Sequence, residues 1–510
     1  MHSKSVKSFD GRNASRAGVH HTGPCSRVSA LRLVHGLALA AVFSGVPQSA
    51  MARQATPDLS KELETAHRVL QSPALTRALA YVDGAEAETV QEWLSLCNAY
   101  GPSGNEGRRS RLIYRLFRIY GLDNVHIDDA LNVIGIRRGS GGGPTVVLNA
   151  HHDNVALWPA DQPVEAFVAD GRVWCPAAAD DLMGITQMLT LLRAMNAAGI
   201  TTAGDIWFVA VTGEEAPTGP EHADASPGMR QLVRANVPRN LDWRKGDIII
   251  QFHGGGGEGV STGSTPVRNR SQLRIFAPFD GDRWAPHAVD ALGRIIARIG
   301  SEVRDPRSTR IAFEHPASTA MPADVLYLNM GMISASDVIA RPASEAWVRF
   351  DMRADAQARM DQAHDAIERI TREVLATMGD GFSHSYEINS RNGVEAGIAG
   401  FDKVNNAPAR MAAAASQALY GTDPIIDPEE GCGDCVRAYT EGMPAFSFRG
   451  NVVDHGAGRF ERQARSPLAS AVRRKTAGHD VTESAEIVRV WAGVKHGLLF
   501  AVAYAGLANR

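Results

Sequence analysis

The segment TVVLNAHHDNV, Thr145 to Val155, runs from strand-forming residues straight into His151, His152 and Asp153. Val146, Val147 and Leu148 begin a short apolar run of the kind that lies buried on both faces of a parallel sheet. Open α/β sheets carry their ligand sites outside the carboxyl ends of the strands, so two imidazoles and a carboxylate stand here where a site belongs.

Outward from this strand, the signals alternate. Residues from about 60 to 120 have helical periodicity, as in TVQEWLSLCNAY and RSRLIYRLFRIYG, the latter closed by Gly121. Then come the strand NVIGIRRG, the helix DLMGITQMLTLLRAMNAAG, and the strands DIWFVAV and DIIIQF. Apolar strands alternating with amphipathic helices predict an α/β fold, a mostly parallel sheet flanked by helices. From Pro266 the order becomes SQLRIFAPF, HAVDALGRIIARIG, VLYLNMGMIS, EAWVRFDMRA, MDQAHDAIERITREVLATM and SHSYEINS. That is a β-α-β-β-α-β arrangement, read as an inserted α+β domain over 266–392 that splits the α/β domain into 53–265 and 393–510.

At 510 residues and 44% hydrophobic content the chain can bury a large core, and a formal net charge of -3 without a basic stripe argues against a nucleic-acid partner. Residues 1–52 differ from the rest: basic up to Arg32, apolar through LVHGLALAAVFSGV, then Ala-x-Ala at Ala50 to Ala52. This order is that of a secretory signal peptide, and the apolar run falls short of the about 20 residues that span a bilayer. The expected mature protein is exported, periplasmic or secreted, with no stable membrane span; an uncleaved anchor is the alternative. Of five cysteines, Cys25 lies in the leader, and Cys97, Cys175, Cys432 and Cys435 remain, too few for a disulfide framework. The CGDC pair reads as a local disulfide or two thiols.

Further acids and imidazoles end other apolar elements. AAADDLMG sets Asp180 and Asp181 before a helix, FVAVTGEEAP ends a strand in Glu214 and Glu215, and IIIQFHGGGGEG ends one in His253. Carboxylate oxygen and imidazole nitrogen are the donors that zinc and related divalent cations select. A two-metal centre also needs a bridging carboxylate and a separate base. The glycine run after His253 lacks the Lys-Ser/Thr of a phosphate loop and reads as a tight turn.

Taken in order, PSGNEG from Pro102, LNVIGI, AHHDNV, ADDLMG, TGEEA and GEGVSTG resemble the acetylornithine deacetylase and succinyl-diaminopimelate desuccinylase family of zinc amidohydrolases. That family also holds carboxypeptidase G and tripeptidase T. The resemblance implies a zinc exopeptidase-like catalytic domain, with 266–392 as a lid and dimerisation domain, and zinc as cofactor, two divalent ions per chain or one. It implies His151 as a terminal ligand oriented by Asp153, Asp180 as the bridge, Glu214 as general base and Glu215 as ligand to the other metal. His152 would pack or line the pocket, because adjacent strand residues face opposite ways. His253 would be a ligand where the family has Asp or Glu. The last ligand would be His479, in a His-x-x-x-Glu context with Glu483 before the final helix; His455 in VVDHGAG is its rival.

The lid departs from the pattern. Asp282 stands where the family carries a histidine for the oxyanion, and a carboxylate cannot serve there, which leaves Arg283 or His287 as substitutes. Ile339 and Arg341 occupy the place of a lid asparagine, while Arg353 is the candidate clamp for a substrate carboxylate. The expectation is an exported hydrolase that cleaves an amide bond in short peptides or N-acyl amino acids, with a homodimer through the lid. The alternatives are a catalytically impaired periplasmic binding or scaffold protein of the same fold, and a lid-less aminopeptidase relative.

Overall fold

A computed structural model describes residues 57–154, 165–215, 226–236, 241–253, 256–263, 267–278, 286–304, 325–335, 342–354, 356–392, 398, 400–421, 425–431, 433–449 and 483–508. Four helices come first: α1 (Ser60–Leu70), α2 (Pro73–Gly84), α3 (Glu86–Asn98) and α4 (Gly107–Ile119). There follow β1 (Asp123–Ile127), β2 (Val133–Arg137), β3 (Val146–His151), β4 (Phe167–Ala169), β5 (Arg172–Trp174), α5 (Leu182–Ala198), β6 (Ile206–Val211), α6 (Pro227–Gln231), β7 (Ile248–Gln251) and β8 (Gly259–Gly263). The insert holds β9 (Val267–Phe276), α7 (Ala288–Glu302), β10 (Leu326–Ala335), β11 (Glu345–Ala354), α8 (Gln357–Ala376) and β12 (Ser383–Asn392). The chain then returns through α9 (Ala407–Tyr420), β13 (Ile425–Gly431), α10 (Gly433–Thr440), β14 (Ala445–Arg449), β15 (Ser484–Glu486) and α11 (Ile487–Ala505).

The large sheet has eight strands in the order β1-β2-β6-β3-β7-β14-β8-β13. Its centre is parallel, β3 against both β6 and β7 and β14 against β7, while β1–β2, β2–β6 and β14–β8 are antiparallel. Every residue of β3, β6 and β7 is buried, which is why these strands read as apolar runs instead of alternating. On one face pack α2, α5, α9 and α11; on the other, Val147, Val209 and Ile249 meet Met229, Leu232, Cys435 and Ala438. Asp181 caps α5 by accepting the Gly184 N–H at 3.1 Å, and Gly199 ends it at φ 64°. By length and composition α11 could cross a membrane, but most of it is buried here against α5 and α9.

The glycine run after His253 answers to packing. A Cβ on Gly256 would stand 2.2 Å from the Gly493 backbone, so the loop lies directly on α11. Ser416 Oγ donates to the Gly257 carbonyl at 2.6 Å, and the Gly257 N–H donates to His496 Nδ1 at 3.1 Å.

The insert is a separate antiparallel sheet, β10-β11-β9-β12, with its own apolar core against α7 and α8. On β11, Ala346, Val348, Phe350, Met352 and Ala354 are buried while the residues between them face the other way, the period of a one-sided strand. One connection staples the first part of the split domain to itself, and another ties its two parts together. Cys97 and Cys175 form a disulfide across a separation of 78 residues, a pairing the spacing alone did not indicate. β15 pairs with β5 in a three-stranded sheet with β4.

His496 is buried on α11, its Nε2 lying 2.7 Å from the Ala412 carbonyl. Burial holds its pKa down to about 4 against the carbonyl's opposing pull, so the folded protein keeps it neutral. The unfolded chain takes up that proton near pH 6.5. Stability present above pH 6.5 should therefore fall as pH drops toward 4, with up to about 3 kcal/mol from this residue. Denaturant titrations at stepped pH read the slope, and His496→Gln should flatten it.

Candidate metal centre

His151 ends β3 and is fully buried. Its Nε2 lies 2.9 Å from Asp180 Oδ1, and its Nδ1 3.3 Å from Asp153 Oδ1. His253, just past β7, places its own Nε2 3.0 Å from the same Asp180 oxygen. His151, Asp180 and His253 thus offer three ligand atoms within 4.8 Å of one another, and His151, Glu214 and Glu215 form a second such group. His151 is common to both.

Strand tips alone do not set this geometry. The Asp180–Asp181 peptide is cis. Asp180 faces the imidazoles, while Asp181 turns to α5 and accepts the His151 N–H at 3.3 Å. Glu483 accepts the N–H groups of Ala179 and Asp180 at 2.7 and 2.8 Å, which fixes Asp180 from the far end of the chain. Asp153 accepts the N–H groups of Glu214 and Glu215, each at 3.1 Å, and the Ser103 hydroxyl at 2.5 Å. The PSGNEG loop that holds Ser103 is itself locked by Arg109, which donates to the carbonyls of Leu96, Ala99, Gly101 and His152 and to Asn154 Oδ1. Behind Glu214, a Cβ on Gly433 would fall 1.8 Å from Oε1, so only glycine leaves that carboxylate its place.

The electrostatics follow from burial against close charges. Burial would push the Asp153 carboxyl up, but His151, Ser103 and the Glu215 N–H outweigh it and hold it down to about 2. Burial lowers both imidazoles, yet Asp153 and Asp180 raise His151 well above its ordinary value, and Asp180 with Asp181 raises His253 to about 10. The surroundings of Asp180 thus favour positive charge. Two imidazoles and several carboxylates turned toward one buried point suit a divalent cation better than any neutral group.

Of the other predicted positions, His152 is fully buried and stays outside both groups, its carbonyl held by Arg109. Burial, with Arg109 next, depresses it to about 3. Arg353 lies on the insert, its Nη2 3.3 Å from Asp351 Oδ2 and its guanidinium over the Tyr327 ring. His287 stands at the start of α7, where its backbone N–H donates to Asp290 at 3.0 Å. His479, His455, Asp282, Arg283, Ile339 and Arg341 lie outside the described residues.

Several charged groups beside the centre escaped the sequence reading. Arg268 and Arg270 face the same side of β9; Arg268 is paired with Asp351 at 2.9 Å, and both interact electrostatically with Glu214 and Glu215. In register, Arg353 stands opposite Arg268 and Asp351 opposite Arg270, so these three guanidiniums stand together at one end of that face with Asp351 among them. Only strand register reveals that row. Asp434, inside CGDC, is fully buried and accepts from Gln251 Nε2 at 3.4 Å, whereas the motif drew notice for its cysteines.

A profile of Peptidase family M20/M25/M40 matches residues 147–463. The cysteinylglycine-S-conjugate dipeptidase of Corynebacterium striatum is 32% identical over 186 residues, 33% of this chain, and the chain spans 38% of that relative's length. In fold, the chain is similar to human carnosine dipeptidase 1, with a TM-score of 0.61 at 12% identity over 85% of this chain and 99% of that one. It is also similar to the di-peptidase Dug1p from Saccharomyces cerevisiae, with a TM-score of 0.58 at 12% identity over 84% and 98%.

Asp153→Asn would turn an acceptor of three hydrogen bonds into a group that must offer a donor to one of them. Because the site is buried, a loss of about 3 kcal/mol or more in unfolding free energy is expected, read by urea denaturation at pH 7.

Proposed function

The chain belongs to Peptidase family M20/M25/M40, and from that membership we propose an exported, zinc-dependent amidohydrolase that cleaves short peptides or N-acyl amino acids. The carrying observation is the group of His151, Asp180 and His253, whose ligand atoms lie within 4.8 Å of one another, with Glu215 gathered beside the same His151. His151, Asp180 and His253 would hold one cation, and Asp180, Glu215 and His479 the second. The anchoring of Glu483 on Asp180, four positions beyond His479, supports His479 over His455 for that place. When bound, the cations supply Lewis acidity to the amide carbonyl and to the attacking water.

The remaining steps belong to the chain. Glu214 takes the water's proton and hands it to the leaving amine, the work of a general base and then acid. Asp153 holds the Glu214 and Glu215 backbone and orients the His151 ring. Gly433 keeps the Glu214 carboxylate in place. The row of Arg268, Arg270 and Arg353 suits a substrate carboxylate, since a guanidinium offers a fork that matches it. A dipeptide or N-acyl amino acid brings such a group at the right end, in keeping with the dipeptidase named among the relatives.

Two finer readings have physical support. The Cys97–Cys175 disulfide favours an oxidising compartment, which agrees with residues 1–52 as a signal peptide. β10 is an edge strand with Ile333 exposed, the kind of edge through which a second lid could pair.

Metal content of the purified mature protein, measured beside hydrolysis of a dipeptide and N-acetyl amino acid library, tests the proposal. Near two metals per chain are expected, with Glu214→Gln keeping the metal and losing at least about a hundredfold in turnover. Equal turnover in that variant would sink the mechanism. Bound metal without any cleavage would favour the impaired binding protein, for which His253 is the argument.

A further inference from the structure

Alternate residues of β3 and β7 form layers beneath the centre. Val147 and Ile249 enter the apolar cluster with Cys435 and Ala438. One step higher, Asn149 and Gln251 are register partners and both are fully buried. At the top stand His151 and, beyond the end of β7, His253. Asp434 joins the middle layer from α10: one carboxylate oxygen accepts from Gln251 Nε2 at 3.4 Å, and the other has no hydrogen-bond partner among the described residues. Its immediate neighbour Gly433 lies against Glu214.

A fully buried carboxylate with one long amide contact is costly unless positive charge lies close. Within the chain, burial first and the charges of Glu214 and Asp153 after it push the Asp434 carboxyl up to about 8, with His151 and His253 pulling the other way. All four of these groups belong to the proposed centre. His253, meanwhile, supplies a neutral donor where the resembling family supplies an acid, so two divalent cations there would lack one negative charge among their ligands.

We propose that Asp434 provides that charge from below: it is a positioning carboxylate that compensates His253 and, through Gln251, steadies the end of the strand that carries it. This rests on the reading of His253 as a ligand. A carboxylate outside the ligand set acts on cation affinity first, and groups in such places typically alter it by roughly 10–100-fold.

The test is zinc titration of the metal-stripped full-length protein against a competing chelator, with thermal melting of the stripped form beside it. Asp434→Asn should raise the dissociation constant of one zinc by roughly 10–100-fold, with a stripped-form melt no lower than wild type. Adding His253→Asp to that variant should bring the constant back to the wild-type range. Asp434→Ser carries the same comparison should the asparagine disturb packing. Unchanged zinc binding in Asp434→Asn overturns the inference, and so does a loss that His253→Asp fails to restore. If the wild-type protein takes up no zinc, the reading of the centre itself fails, a result distinct from either.

Discussion

The Asp153 carboxylate accepts three hydrogen bonds from two segments remote in sequence and stands beside the His151 ring. Ser103 brings the loop ahead of α4, while Glu214 and Glu215 bring the turn after β6. Because the group is wholly buried, no water can stand in for any of these partners. His151, Ser103 and the Glu215 N–H favour its anionic form, so both segments are tied to one point beside β3. Arg109 repeats the device on a larger scale, fastening the same loop to the backbone beyond β3.

The inserted sheet works on a different principle. Its apolar core is separate from those of the large sheet, so the arginines on its outer face are positioned by packing inside the insert. Asp351 holds Arg268 and Arg353 without cancelling the row's charge. Across from it the Glu214 and Glu215 carboxylates provide the opposite sign. An anionic group entering between them meets attraction from one wall and, at the other, carboxylates that only a cation can neutralise.

What could be read from the sequence follows from this division. β3, β6 and β7 were legible because burial on both faces leaves unbroken apolar runs, and β11 because burial on one face leaves a period of two. His151, Asp180, Glu214, Glu215 and His253 stood out because each ends such an element, and the structure gathers them. The partners that set their geometry carry no such mark. Ser103, Glu483 and Gly433 act through one or two contacts across long separations, and Gly433 is informative only once Glu214 is placed against it. Arg268 and Arg270 look like ordinary strand-surface cations until register sets them beside Arg353. Cys97 and Cys175 gave no sign of each other, since pairing over 78 residues depends on the packing of α3 against β5. His287 offered an imidazole to the lid, and the structure shows it at the start of α7, its backbone N–H held by Asp290.

The hold of Glu483 on the Ala179 and Asp180 N–H groups, with β15 laid against β5, also bears on the order of assembly. A growing chain makes Asp180 some three hundred residues before it makes Glu483. Until then Asp180 lacks its anchor, however well β3 and α5 have formed. Ribosomes add about 5–20 residues per second, so an interval of tens of seconds separates the synthesis of these two groups. During that interval the Ala179 and Asp180 N–H groups have no Glu483 to hold them, and the joint closes only with the segment that ends in β15.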